Sequence, residues 1–152
     1  MTPSAIHDVI VTPLKIIADD RGAVMHMLRA DAPHFRSFGE IYFSAVNPGA
    51  VKAWKRHREM TLNLAVVQGR LRLVLFDDRA DSPSRGHLQE IVMAPSAADT
   101  YVLVTVPPGL WTGFTCEGET PALMANCASI PHDPGEADGL PQDTDRIPYR
   151  WR

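Results

Sequence analysis

At 152 residues and 16.8 kDa the chain is long enough for one domain with a core of its own, and it needs no staples to hold together. A net charge of -3 and a pI near 6.0 give no overall attraction to nucleic acid or to an anionic membrane, so a polyanionic ligand has to be met by a local basic cleft. No apolar run approaches the roughly 18 residues of a membrane span, and the opening MTPSAIHDVI lacks a basic block followed by a hydrophobic one, so a soluble cytoplasmic protein is expected.

In chain order, Val9 to Thr12 and Leu14 to Ile17 read as short β-branched strands. Pro13 between them cannot donate a ladder bond and belongs at an edge or a bend. Asp19 to Gly22 form a turn, Ala23 to Leu28 returns as a strand, and Gly39 to Val46 reads as another. After the turn Asn47-Pro48-Gly49 comes the most charged stretch, with Lys52, Lys55, Arg56, His57 and Arg58 close together. Regular alternation sends Ala53, Lys55 and His57 to one face and Lys52, Trp54, Arg56 and Arg58 to the other. If the first face lines a cavity, Lys55 and His57 form a candidate acid/base and anion-binding pair; a solvated basic edge strand is the plain alternative.

Leu62 to Val67 and Arg70 to Phe76 flank Gln68-Gly69 and read as a hairpin, its second strand alternating Arg70 and Arg72 with Leu71 and Leu73 so that one side is wet or faces a cavity. Asp77 to Arg85 is a polar loop. Leu88 to Met93, Tyr101 to Val106, Leu110 to Thr115 and Ala122 to Ala128 complete the strands. Cys116 and Cys127 have no metal or redox spacing and read as buried thiols in a reducing compartment. From Pro131 onward the chain is rich in Pro, Asp and Gly without a period, yet Ile147, Pro148, Tyr149 and Trp151 mark it as a tail that packs back.

About nine short strands with Gly/Pro turns and no amphipathic helix predict an all-β fold, a jelly roll of two sheets with an irregular C-terminal tail. Gly49, Lys55, His57, Leu62 and Gly69 fall in register on the first motif of the cupin jelly rolls, and Pro107, Gly109, Thr112 and Cys116 fall on the second. Of the usual metal ligands only His57 remains, since Lys55, Leu62 and Thr112 stand at the other three positions. One imidazole cannot hold a divalent ion selectively, so a site without metal or other cofactor is expected.

Six segments in order, DDRG (19–22), GAVKAW (49–54), VVQG followed by DDR (77–79), SPSRG (82–86), VPPGLWTGF (106–114) and QDTDRIPYRW, resemble the dTDP-4-dehydrorhamnose 3,5-epimerase family of metal-free cupins. The resemblance implies an isomerase of a nucleotide-linked 4-keto sugar, acting at C3, C5 or both or shifting the keto group, and a homodimer that exchanges edge strands. It places Lys52 at the family's phosphate-gripping Arg, Lys55 at its catalytic His, Asp143 at the Asp of its His-Asp dyad and His132 at its proton-donating Tyr. The assignment that follows is His57 as base oriented by Asp143, Lys55 as enolate stabiliser and His132 as opposite-face acid. Arg21 and Lys52 would bind the diphosphate, with Trp54 or Trp111 as a stacking surface for base or sugar. The replacements at Lys55 and Thr112 keep a second class open, a non-catalytic cupin that binds a nucleotide sugar or simply pairs as a dimer.

Overall fold

Leu62 to Gln68 and Leu71 to Phe76 are nearly continuous apolar runs with only Gly69 and Arg70 between them, yet they lie in different sheets. The computed structural model describes residues 5–152. Its strands are β1 (Ile10–Pro13), β2 (Ile16–Asp19), β3 (Gly22–Met25), β4 (Glu40–Val46), β5 (Val51–His57), β6 (Leu62–Gln68), β7 (Leu71–Phe76), β8 (Leu88–Met93), β9 (Val102–Val106), β10 (Trp111–Cys116), β11 (Ala122–Ala128) and β12 (Ala137–Gly139), with one 3₁₀ turn at Pro134–Glu136. One five-stranded sheet runs β1-β9-β6-β11-β4 and the other β12-β5-β10-β7-β8, while β2 and β3 pair as a separate hairpin. The two sheets make the expected cupin jelly roll. Pro13 ends β1, which is an edge strand as its missing N–H requires.

The expected hairpin at Gln68-Gly69 is corrected by this topology. The link between β6 and β7 carries the chain from one sheet to the other, and each strand finds its partners elsewhere. Gly69 permits the crossing because it has φ +79, and a Cβ there would lie 2.8 Å from the Ala122 Cα and from the Pro121 carbonyl oxygen.

Leu62, Leu64 and Val66 of β6 and Leu71, Leu73 and Leu75 of β7 join the main core. The opposite face of β7 is also covered. Val74 and Phe76 there meet Trp54, Trp111 and Ile147, with Tyr149 and Trp151 of the tail packed against them. Burial on both faces is why β7 has no wet side. Arg72 belongs to this covered face: it is 8% exposed, its guanidinium ion-pairs with Glu117 at 2.9 Å and Glu90 at 3.3 Å, and it donates to Tyr149 Oη and to the Arg152 carbonyl. The tail therefore packs back as expected, and it adds a strand that its composition does not announce, β12 on the edge of β5.

The polar loop after β7 is organised by Asp77, which is fully buried. Burial pushes its carboxyl up, but the Arg79 guanidinium and the Ser82 and Ser84 hydroxyls outweigh that and hold it well below the ordinary range. The DDR and SPSRG segments are thus explained by loop architecture. Both cysteines are buried and free, and among the described residues no helix is long and apolar enough to cross a membrane.

Gly69→Ala tests the crossing. A positive φ combined with a backbone clash should cost on the order of 1–3 kcal/mol, read as a lower urea midpoint at unchanged m-value.

Candidate active site

A cavity of about 330 Å³ opens between the two sheets. One wall comes from Tyr42 and Ser44 of β4 with Met124 and Asn126 of β11; the facing wall comes from β5, residues 52–55 and His57, with Thr112 and Phe114 of β10. Apolar side chains of β6, Leu62 and Leu64, line it further. Tyr42, Ser44 and Val46 point inward because they alternate with the exposed Ile41, Phe43 and Ala45.

Strict alternation fails on β5, and the site depends on that failure. β10 pairs Thr112 with Lys55 but Phe114 with Lys52, so Ala53 and Trp54 together oppose Gly113. This β-bulge shifts the register by one. Lys52 therefore joins Lys55 and His57 at the cavity, in correction of the simple alternation, while Trp54 turns into the outer core under the tail. Gly113 is the residue that fits opposite: a Cβ there would lie 2.7 Å from Trp151 Cζ2 and 2.8 Å from Ala53 Cβ.

His57 is 8% exposed, and its Nδ1 bonds to Glu136 Oε1. Glu136 is brought there by the tail. Asp133 caps the 3₁₀ turn by accepting from Gly135 N, Pro134 fits the first turn position, and β12 then pairs Ala137 with His57 and Gly139 with Lys55. Arg58 holds the same segment, donating to the Gly135 carbonyl at 3.0 Å and to Asp138 at 2.6 Å. The second carboxylate oxygen of Glu136 accepts from the backbone N–H of Glu59 at 3.2 Å and of Met60 at 3.3 Å. Burial pushes this carboxyl up, but the His57 imidazole and the two N–H groups win and hold it below its ordinary value. A carboxylate fixed on Nδ1 sets the imidazole's orientation and leaves Nε2 for chemistry, and Nε2 has no hydrogen-bond partner among the described residues.

The remaining sequence-based site residues fall in four places. Lys55 lines the cavity beside His57, and Lys52 stands with it, its Nζ donating to the Ala45 carbonyl at 2.8 Å. Asp143 is exposed in the tail, and the position against His57 that it was expected to take is filled by Glu136. His132 is exposed, its backbone N–H on Glu40, and it lines a separate cavity of about 270 Å³ that shares the Lys55 and His57 wall from the tail side. Arg21 is exposed at the turn of the β2–β3 hairpin with its guanidinium on Asp19, away from the lining of the cavity.

The tryptophans are core residues. Trp54 packs against Trp151 and Tyr149 at centroid distances of 5.2 and 6.1 Å. Trp111 is 1% exposed, donates from Nε1 to Asp78 at 3.0 Å and carries the Arg56 guanidinium 4.5 Å over its ring. The stacking role is therefore withdrawn for Trp111, while Trp54 borders the cavity with its ring packed against Trp151 and Tyr149 of the tail. Three site groups carried no sequence-based role: Glu136, Tyr42 and the hydroxyl of Thr112. Thr112 Oγ1 is buried at the cavity wall without a hydrogen-bond partner in the described structure. The DPGE turn signal was a visible cue for Glu136, but nothing local pointed it at His57.

A jelly-roll cavity holding a carboxylate-oriented imidazole beside two lysines is a cupin site equipped for acid/base chemistry. No protein-family model matches the chain. It is 35% identical over 146 residues to the probable low-salt glycan biosynthesis epimerase Agl13 of Haloferax volcanii, covering 95% of this chain and 88% of that protein. A dTDP sugar isomerase from Desulfovibrio desulfuricans superposes with a TM-score of 0.93 at 46% identity, over 97% of this chain and 92% of that one. The fold recurs in ChmJ, a 3'-monoepimerase from Streptomyces bikiniensis solved with dTDP-quinovose, at TM-score 0.86 and 18% identity over 99% and 78% of the chains. The chain belongs to the dTDP-4-dehydrorhamnose 3,5-epimerase family.

The Glu136 carboxyl has a testable signature. A group held below its ordinary value of 4.5 contributes stability that is complete above that value and is lost as pH falls through the lower, folded one. The fall in the unfolding midpoint from about pH 6 to about pH 3 should therefore be smaller in Glu136→Gln than in the wild type.

Proposed function

We propose that this protein epimerises a nucleotide-linked 4-keto-6-deoxy sugar next to its ketone, through an enolate. The observation that carries the reading is the His57–Glu136 pair set in the wall of a sheet-lined cavity together with Lys55. A C4 ketone acidifies the hydrogens on C3 and C5. His57 Nε2 removes one of them, while Glu136 accepts from Nδ1–H and offsets the imidazolium charge. The Lys55 ammonium meets the charge that develops on the enolate oxygen. Lys52, on the same wall, binds diphosphate, and the unpartnered Thr112 hydroxyl takes a sugar hydroxyl. The names of the relatives, a glycan biosynthesis epimerase and a dTDP sugar isomerase, support both the reaction type and a nucleotide handle.

The reading of a non-catalytic cupin rested on the replacements at Lys55 and Thr112. Glu136 weakens it, because His57 has acquired the oriented carboxylate partner that a base needs and a mere binding wall does not. The buried free thiols suit the cytoplasm.

Incubated in deuterated water with dTDP-linked 4-keto-6-deoxyglucose, the protein should place deuterium on the carbon next to the ketone, and His57→Asn should slow this at least about 100-fold. A wild type that binds the sugar nucleotide without any exchange would overturn the reading. Exchange accompanied by migration of the carbonyl would reassign it as a ketoisomerase.

We infer further that the protein is a homodimer. β4 is an edge strand whose outward side chains Ile41 and Phe43 are 55% and 60% exposed, and the β2–β3 hairpin adds Val24 at 61%. A diphosphate role for Arg21 needs such pairing, since within one protomer the hairpin does not line the cavity. Light scattering should give about twice 16.8 kDa at micromolar concentration; a monomer refutes it.

A further inference from the structure

We propose that Tyr42 is the acid that returns a proton to the opposite face of the enolate, held for that task by Asn126. The proposal rests on the epimerase reading above and adds the residue that completes it. His57 is on β5 in one sheet and Tyr42 on β4 in the other, and both line the same cavity. Facing sheets stand about 10 Å apart, so a sugar ring lying between them shows one face to each wall. A base on a single wall can remove a proton and put it back. Inversion needs a donor on the other wall.

The hydrogen bonds settle which way the Tyr42 hydroxyl points. Asn126 lies directly across from Tyr42 in the β4–β11 ladder. Its Oδ1 accepts from the backbone N–H of Asn63 at 3.0 Å, and a backbone N–H can only donate. The amide orientation is thereby fixed, and Nδ2 donates to Tyr42 Oη at 2.9 Å. Tyr42 is consequently an acceptor toward the sheet, and its own proton is free to point into the cavity. Asn63 is locked in turn, accepting from Thr105 Oγ1 at 2.8 Å and donating to the Cys127 carbonyl at 3.4 Å. His132, by contrast, lies on the tail side of the β5 wall.

The step balances as follows. His57 Nε2 takes the ring proton and becomes imidazolium, the C–H electron pair passes into the enolate, and Tyr42 Oη–H is given to the same carbon from the other face. This leaves imidazolium and phenolate, whose charges sum to zero, and exchange with water through the open cavity resets both.

Tyr42→Phe separates the two half-reactions in deuterated water with dTDP-linked 4-keto-6-deoxyglucose. His57 should still exchange the ring hydrogen with retention, while formation of the inverted sugar falls at least about 100-fold. Asn126→Asp is the second variant. Its carboxylate accepts from Asn63 N–H and also from Tyr42, turning the phenolic proton away from the cavity, so inversion should fall with the phenol still in place. Inversion at the wild-type rate in Tyr42→Phe or in Asn126→Asp overturns the proposal, and so does loss of exchange together with inversion in Tyr42→Phe. A wild type that neither exchanges nor inverts instead overturns the epimerase reading on which the proposal stands.

Discussion

The bulge in β5 is the constraint on which the rest of the site depends. Two residues, Ala53 and Trp54, face the single Gly113, and the one-residue slip divides the basic strand into two functions. Lys52, Lys55 and His57 turn into the jelly roll, and Trp54, at the border of the cavity, packs into the outer cluster. Without the slip, Lys52 would leave the cavity and join Trp54 on the outer face of the strand. A bulge that re-aims side chains next to a reactive site is a recurrent use of this irregularity. Here the close packing of Trp151 and Ala53 on Gly113 leaves no volume for a side chain that would restore regular pairing.

The outer face of the same strand makes the tail necessary. Trp54, Trp111, Val74, Phe76 and Ile147 form a second apolar cluster on the outside of the sheet, closed over by Tyr149 and Trp151. Fully burying side chains of this size contributes about 1.5–3 kcal/mol each. That docking directs the preceding segment along the β5 edge, where β12 pairs with it and Glu136 reaches His57. The carboxylate is kept ionised by a donor set, His57 and two backbone N–H groups, that outweighs the cost of burying it. Packing on the outer face and chemistry on the inner one are thus linked through a single strand.

Most of the jelly roll was legible because its strands alternate or run apolar between Gly and Pro turns, and Leu88–Met93 and Ala122–Ala128 carry the expected bounds. The connection at Gly69 was misread, since a two-residue link with a glycine signals a hairpin locally and only the partners of β6 and β7 show that the chain changes sheets. His57 and Lys55 were legible from charge and spacing as neighbours on one face of the strand, and that face lines the cavity. The face of Lys52 was not legible, because a bulge has no strong signature when the residue opposite it is far away in sequence. Asp143 was chosen from a tail full of acidic residues by motif position alone, and the tertiary fold selects Glu136 instead. Tyr42 was hidden in an ordinary alternating strand, and its hydrogen bond from Asn126, far along the chain, has no local signal.

The attachment of Glu136 to β12 also sets an order of loss. β12 holds the edge of β5 through three residue pairs, flanked by backbone hydrogen bonds of Trp54 with Leu140 and of Arg58 with Glu136 and by the Arg56 and Arg58 ion pairs to Asp138, whereas β6, β7, β9, β10 and β11 are paired on both sides. Segments secured by short, solvent-facing ladders open at lower free energy than the body they lie on. Opening of that edge would take the Glu136 carboxylate off His57 while the two sheets stay paired, leaving the imidazole in place without the partner that orients it.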